Sequence, residues 1–401
     1  MKVTFVSNYM NHHQQPFSEA MRERLGEDYI FIQTQPMEQE RVQMGWDATA
    51  VTRPFVRKLW EDEDACKKLI YDSDVVLFGW TGREELIVPR LLAGKLTFRN
   101  SERIYKEGQW KAISPRGLLQ KYKDFTKYRK APYYLLCAGG YVASDFALVR
   151  SFPDKKLRWG YFPPLQTYAD DFVKKKHTRA EKEPVELLWA GRFLAWKHPE
   201  TAIATAIALK EKGISFHLTM VGAGELEEKL HAMAQAAKLG ECVSFTGFMK
   251  PHEVRSLMER AQIFLFTSDY EEGWGAVLNE AMNSGCAVVV NHALGAAPFL
   301  IENGRNGLIY RNGAVEQCVE LVEALIKDAG LCRRLGENAY RTILQIWNAK
   351  RAADNLLSVC EELLDAQTKT GGFPKLSELA GLPGDGPGSI APVIKPRKGC
   401  L

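Results

Sequence analysis

The chain has 401 residues, 46% of them apolar and 25% charged, with a formal net charge of +4. That length supports two domains with cores of their own, and that composition excludes a fibrous or wholly disordered chain. So small a surplus also excludes recruitment to nucleic acid or membrane by the overall field, which leaves such binding to a local patch.

The first apolar run, Val3–Val6, is too brief for the core of a signal peptide and reads as a buried strand. A polar loop containing Asn8, His12 and His13 follows, then a helix over Phe17–Leu25. Strands predicted at Tyr29–Gln33, Val75–Gly79 and Leu135–Ala138 alternate with helices at Glu85–Ala93 and Ser144–Phe152, the pattern of a parallel sheet covered by helices. Residues 98–130 carry ten basic and three acidic side chains, a surplus of seven, interleaved with Trp110, Leu118, Leu119, Tyr122 and Tyr128. That mixture suits an anionic bilayer or a lipid diphosphate, and a solvated basic helix accounts for it equally well. No nucleic-acid motif stands beside it, so no nucleic-acid partner is expected.

After the polar stretch 174–184 the alternation restarts, with strands at Val185–Ala190, Phe216–Val221, Val243–Thr246, Ile263–Thr267, Ala287–Asn291 and Leu308–Tyr310. The predicted division is a first domain over 1–175 and a second over 185–345, with a cleft between them as the expected site. A helix over Ile346–Leu364 comes next, within a segment 346–366. Residues 371–401 hold seven glycines and five prolines and read as a flexible tail; Cys400 is misplaced for a prenylation box. No stretch reaches the ~20 apolar residues of a membrane-spanning helix. The eight cysteines lack a Cys-x-x-Cys pair or metal spacing, which suits a reducing cytosol.

Chemistry concentrates in the second domain. Leu187-Leu-Trp-Ala-Gly191-Arg192-Phe-Leu-Ala-Trp-Lys197 is a buried strand running into a glycine turn with two cations, a planar fork and a point charge suited to a diphosphate. Further on, Glu272-Gly273-Trp274-Gly275-Ala276-Val277-Leu-Asn-Glu280 follows another strand and opens a helix over Ala276–Asn283. A strand, a glycine turn and a helix start present free N–H groups and the positive end of the helix dipole to an anion. Glu280, inside that helix, is suited to paired hydroxyls such as a ribose diol, and Glu272 lies in the turn, nearer the reacting end. Thr219-Met-Val-Gly222-Ala-Gly224 follows a strand, but Glu227 stands where a dinucleotide fingerprint needs its third glycine. It is read as a tight turn bordering the same pocket.

These two strings, in this order, resemble the signature of family-4 retaining glycosyltransferases, the group 1 enzymes of bacterial polysaccharide biosynthesis. The resemblance implies an α/β GT-B fold: two Rossmann-like parallel-sheet domains facing across a cleft, with the C-terminal helix crossing back to the first. It implies a metal-independent transfer of sugar from a nucleoside diphosphate, uridine first, to a hydroxyl of a glycan or lipid-linked acceptor, with no cofactor, in the cytoplasm or at the inner membrane face. Arg192, Lys197 and Glu272 would serve at the reaction centre. Gly191, Gly222, Phe248, Met249, Gly273, Trp274, Gly275, Ala276, Val277 and Glu280 would border the donor, Phe248 and Met249 in the nucleobase loop. In the first domain Asn8, His12, His13, Ser101, Glu102 and Arg103 are candidates for the acceptor or reaction centre, and the histidine pair lacks the further ligands that a zinc site needs. Two departures from the family pattern are His198, where glycine is usual, and Phe299, where an acidic residue is usual. A phosphorylase or sugar-nucleotide epimerase of the same fold, or a non-catalytic glycan-binding protein, is the alternative.

Overall fold

Strands that read as unbroken apolar runs must be covered on both faces, and here they form the centres of two parallel sheets. The computed structural model describes residues 1–38, 53–178 and 183–396. The chain divides into one unit made of residues 1–164 and 346–395 and a second made of residues 165–345.

In the first unit the strands are β1 Val3–Ser7, β2 Tyr29–Gln33, β3 Val56–Lys58, β4 Val75–Phe78, β5 Thr97–Ser101, β6 Tyr133–Ala138 and β7 Lys156–Trp159. They are all parallel, in the order β3-β2-β1-β4-β5-β6-β7. The helix Ala349–Thr370 starts at Asn348, whose side chain accepts from the Arg351 N–H, and stops at Gly371 in the left-handed region. It packs on the helix Gln15–Leu25, with Arg24 paired to Asp354.

Residues 371–396 differ from the expected flexible tail. Leu376 is fully buried, Tyr134 Oη donates to the Pro374 carbonyl at 3.0 Å, and Leu157 and Ile390 form an antiparallel bridge. The Arg158 N–H donates to Ser389 O at 2.7 Å and the Ala391 N–H to Lys156 O at 2.9 Å. An edge strand presents unpaired N–H and C=O groups, and this segment satisfies those of β7 with its main chain, which needs few apolar side chains. Residues 397–401, Cys400 among them, lie outside the described residues.

The second unit carries β8 Val185–Ala190, β9 Phe216–Val221, β10 Val243–Gly247, β11 Ile263–Phe266, β12 Ala287–Asn291 and β13 Leu308–Tyr310, parallel and ordered β10-β9-β8-β11-β12-β13. Leu187, Trp189, Leu218, Met220, Leu265 and Val289 anchor one side of its core. This unit begins ahead of the predicted boundary at 175–184, because the segment from Leu165 is tied to its helices. The Gln166 N–H donates to Asn283 Oδ1 at 2.8 Å, the Tyr168 N–H to Tyr340 Oη at 3.0 Å, and His177 Nε2 to the Gly285 carbonyl at 2.9 Å. Among the described residues no helix is long and apolar enough to cross a membrane.

Candidate functional site

From β8 the second sheet grows outward through β9 and β10, then returns to add β11 on the other flank. The loops leaving the carboxyl ends of β8 and β11 therefore diverge, which opens a crevice at the place where parallel sheets take ligands. Those two loops are Gly191–Lys197 and Thr267–Gly275, the two segments that the sequence singled out.

Their side chains meet. Lys197 Nζ donates to Glu272 Oε2 at 2.5 Å, with only 14% and 16% of the two side chains exposed. One ammonium proton is thereby engaged, leaving further donors for a ligand. Gly191 lies between the Trp189 ring and the lysine stem, and a Cβ there would stand 3.2 Å from Trp189 Cη2 and in ordinary contact with Lys197 Cδ. The backbones are pinned as well: Trp189 Nε1 donates to Thr267 Oγ1 at 2.8 Å, that hydroxyl donates to the Lys197 carbonyl at 2.6 Å, and the Asp269 N–H donates to Trp196 O at 3.0 Å. Arg192 is exposed and has no ion pair among the described residues.

His198 adopts φ +47 and ψ +50, a left-handed conformation that favours glycine. That explains the family's usual glycine, and here two carboxylates hold the imidazole instead. Its Nε2 lies 3.0 Å from Asp269 Oδ2 and its Nδ1 3.2 Å from Glu200 Oε1. Asp269 foremost, then Glu200, pushes the His198 pKa up to about 9, so a third cation stands beside Lys197 and Arg192 at neutral pH.

Gly222, at φ +138, belongs to the turn after β9, and a Cβ there would lie 1.9 Å from the Gly191 carbonyl oxygen. The Gly-x-Gly therefore lets two loops touch, as a tight turn would. Its N–H donates to Gly247 O at 2.9 Å, which ties in the loop bearing exposed Phe248 and half-buried Met249. Gly275, at φ +89, precedes the eight-residue helix Ala276–Asn283, and a Cβ would lie 2.7 Å from Leu294 and 2.8 Å from Phe266. The Leu278 N–H turns back to the Gly275 carbonyl at 2.9 Å, whereas Ala276 and Val277, at the first two positions, have no intrahelical acceptor for theirs.

Trp274 sits in this turn with its side chain turned inward. Its ring is wholly buried and Nε1 donates to Asn279 Oδ1 at 2.8 Å, so the indole fixes the turn from beneath and only the backbone of Gly273–Gly275 is left for a ligand. Glu280 is half-buried, 3.8 Å from Arg255 Nη2. Burial raises its carboxyl pKa, against the pull of Arg255. Arg255 also donates to the Glu280 carbonyl at 3.0 Å and to Asn283 Oδ1 at 3.2 Å, a partner that no motif announced.

The first sheet changes direction between β1 and β4, and its residues gather at the carboxyl ends. The Asn8 N–H donates to Trp80 O at 2.7 Å. The His12 and His13 rings stand 3.7 Å apart, and His13 is stacked at 6.0 Å on Tyr161. Burial lowers His12 to about 4 and His13 well below the ordinary imidazole value, so both are neutral at pH 7. Tyr161 Oη donates to Glu102 Oε1 at 2.6 Å and Lys106 Nζ to Glu102 Oε2 at 2.5 Å. Glu102, His12 and His13 thus come with two companions, Tyr161 and Lys106, that sequence reasoning missed.

Ser101 Oγ donates to the neighbouring Glu102 carbonyl at 2.8 Å. Arg103, the remaining candidate, is buried and forks onto Asp145 through two bonds of 3.1 Å. Asp145 also accepts from the Tyr105 N–H and Gln109 Nε2, which makes this a buried structural clamp. Among the described residues no three His, Cys, Asp or Glu side chains stand together as a metal site would require.

Two parallel-sheet units of this kind define an α/β protein of GT-B fold. Residues 170–342, within the second unit, match the family model of glycosyl transferases group 1. It is 28% identical over 177 residues to the alpha-D-kanosaminyltransferase of Streptomyces kanamyceticus, covering 44% of this chain and 45% of that protein. It is 26% identical over 194 residues to the putative colanic acid biosynthesis glycosyltransferase WcaL of Salmonella typhimurium, covering 47% of this chain and 48% of that protein. Each match thus spans about half the length of the relative. Among solved structures, Anabaena HepE in complex with UDP has the same fold, with a TM-score of 0.65 at 14% identity over 92% of this chain and 100% of the other. A glycosyltransferase from Rickettsia africae also shares it, with a TM-score of 0.65 at 13% identity over 90% and 98%.

Proposed function

We propose that the chain transfers a sugar from a nucleoside diphosphate, UDP by preference, to a hydroxyl of a glycan or lipid-linked saccharide at the cytoplasmic face of a membrane. The observation that carries this reading is the Lys197–Glu272 pair at the switch point of the second sheet, beside exposed Arg192 and a glycine-led helix start. As the anomeric bond breaks, the diphosphate gains negative charge; Lys197, Arg192 and the N–H groups after Gly275 are suited to receive it. That positive charge comes from the protein, which supports transfer without a metal. Glu272 would orient the sugar hydroxyls and Glu280 the ribose, with Arg255 beside the Glu280 carboxyl. Retention of configuration rests on the likeness of the Glu272–Glu280 string to retaining enzymes. The HepE complex with UDP and the relatives named for polysaccharide synthesis favour the choice of donor and acceptor.

The test is release of UDP from UDP-sugars with and without a glycan acceptor. Acceptor-dependent release is expected, falling roughly 10²–10³-fold in Arg192→Ala and Lys197→Ala and unchanged by a chelator. Wild-type rates in both variants overturn the assignment, and UDP-sugar turnover without acceptor points to the epimerase alternative.

A further inference from the structure

The helix Pro115–Asp124 carries its apolar stripe on the wrong side for a core. Pro115, Leu118, Leu119 and Tyr122 share one face by the three- and four-residue spacing of a helix, and such a stripe normally packs inward. Here no residue of the helix is buried. It touches the body of the first unit through half-buried Gly117, Lys121 and Asp124, and through buried Phe125 just beyond. The preceding turn Gln109–Ile113 adds Trp110 and Ile113, and exposure across the five large apolar side chains runs from 39% at Leu118 to 79% at Ile113. The element is ordered: Ser114 Oγ accepts from the Gly117 N–H at 3.3 Å and Pro115 opens the helix.

Charge decides what covers this face. From residue 110 to 130 the sequence has seven Lys and Arg against one acid, Asp124. Leucines flanked by Trp and Tyr and ringed by cations match a layer that offers hydrocarbon beneath and phosphate above. We propose that residues 110–122 insert into the headgroup layer of an anionic bilayer, with Lys111, Arg116, Lys121, Lys123 and Lys127 on lipid phosphates. As a place to meet a lipid-linked acceptor this rests on the transfer reading; as a membrane-binding surface it does not.

The test is co-sedimentation of the full chain with vesicles of phosphatidylcholine alone or mixed with phosphatidylglycerol, at low and high salt. Binding is expected only to the anionic vesicles and should weaken as salt screens the cations. Trp110→Ser with Leu119→Ser should lower the partition by roughly tenfold or more, and Lys121→Glu with Lys123→Glu should abolish it, both with UDP binding retained. Should either apolar variant fail to fold, the charge pair alone decides. No binding at low salt overturns the proposal, as does unchanged binding by both variants. It is equally overturned if the chain self-associates in solution and the apolar variants are monomeric, since the face is then covered by a second copy. A wild-type chain that binds the vesicles and does not bind UDP would instead count against the transfer reading.

Discussion

Glu272 already neutralises the cation offered to the diphosphate, so the two effects of this carboxylate oppose each other. Replacing Glu272 with Gln frees Lys197, and UDP should bind more tightly while transfer slows because the sugar loses its orienting anion. Calorimetry and turnover together check this, and no change in either would reduce the pair to loop packing. His198 gives a pH signature. Its folded pKa of about 9 lies above the ordinary 6.5 of the unfolded chain, so its stabilisation is complete below pH 6.5 and disappears as pH rises through 9. The melting temperature should therefore fall more steeply between pH 7 and 9 in the wild type than in His198→Gln. Arg103→Ala should destabilise the fold by ~3–5 kcal/mol in denaturant unfolding, because Asp145 is left buried without its charge partner. A purely catalytic Arg103 would leave the unfolding curve in place.

At the level of elements, the long apolar runs announced themselves. β1, β2, β8, β9 and β12 fall where their patterns placed them, since short runs dominated by apolar side chains, with few polar positions among them, have few places to go but a covered sheet. β3 and β7 were not legible: three or four residues at an edge, with Arg and Lys among them, carry no apolar signature. The helix expected over Glu85–Ala93 splits into a tight turn at Glu84–Leu86 and a short helix from Val88, where Pro89 sets the start. The helix expected to Phe152 ends at Leu148, with Arg150 and Phe152 at positive φ. Both glycine-turn motifs at the site were readable because their chemistry is local. The Arg103–Asp145 clamp, the Tyr161–Glu102–Lys106 chain and the Glu280–Arg255 pair were not, because each joins segments remote in sequence or lacks a spacing of its own. Composition misled at residues 371–396, whose contacts are largely main-chain. A chain ending at Thr370 should melt at lower temperature and aggregate through the uncovered edge of β7, which light scattering during a thermal ramp would show.

Across the molecule, neutral histidines are buried in both units. Burial holds His12 in the first unit and His177 in the second at about 4. The unfolded chain takes up these protons near 6.5 while the folded chain resists until about 4, so stability should decline as pH falls through that interval. Replacing both with Gln should flatten the decline, as read from denaturant midpoints at pH 7 and 5. The first unit is assembled from two separated stretches, 1–164 and 346–395, whereas 165–345 is continuous. Domains close as they emerge during synthesis, so order of birth and order of completion are inverted here. The later-made half has everything it needs once residue 345 has left the ribosome. The earlier-made half must wait, with the helix Gln15–Leu25 lacking its mate, until residues 346–395 have been translated. A released chain ending at residue 345 should yield to protease in its leading portion and resist in the trailing one.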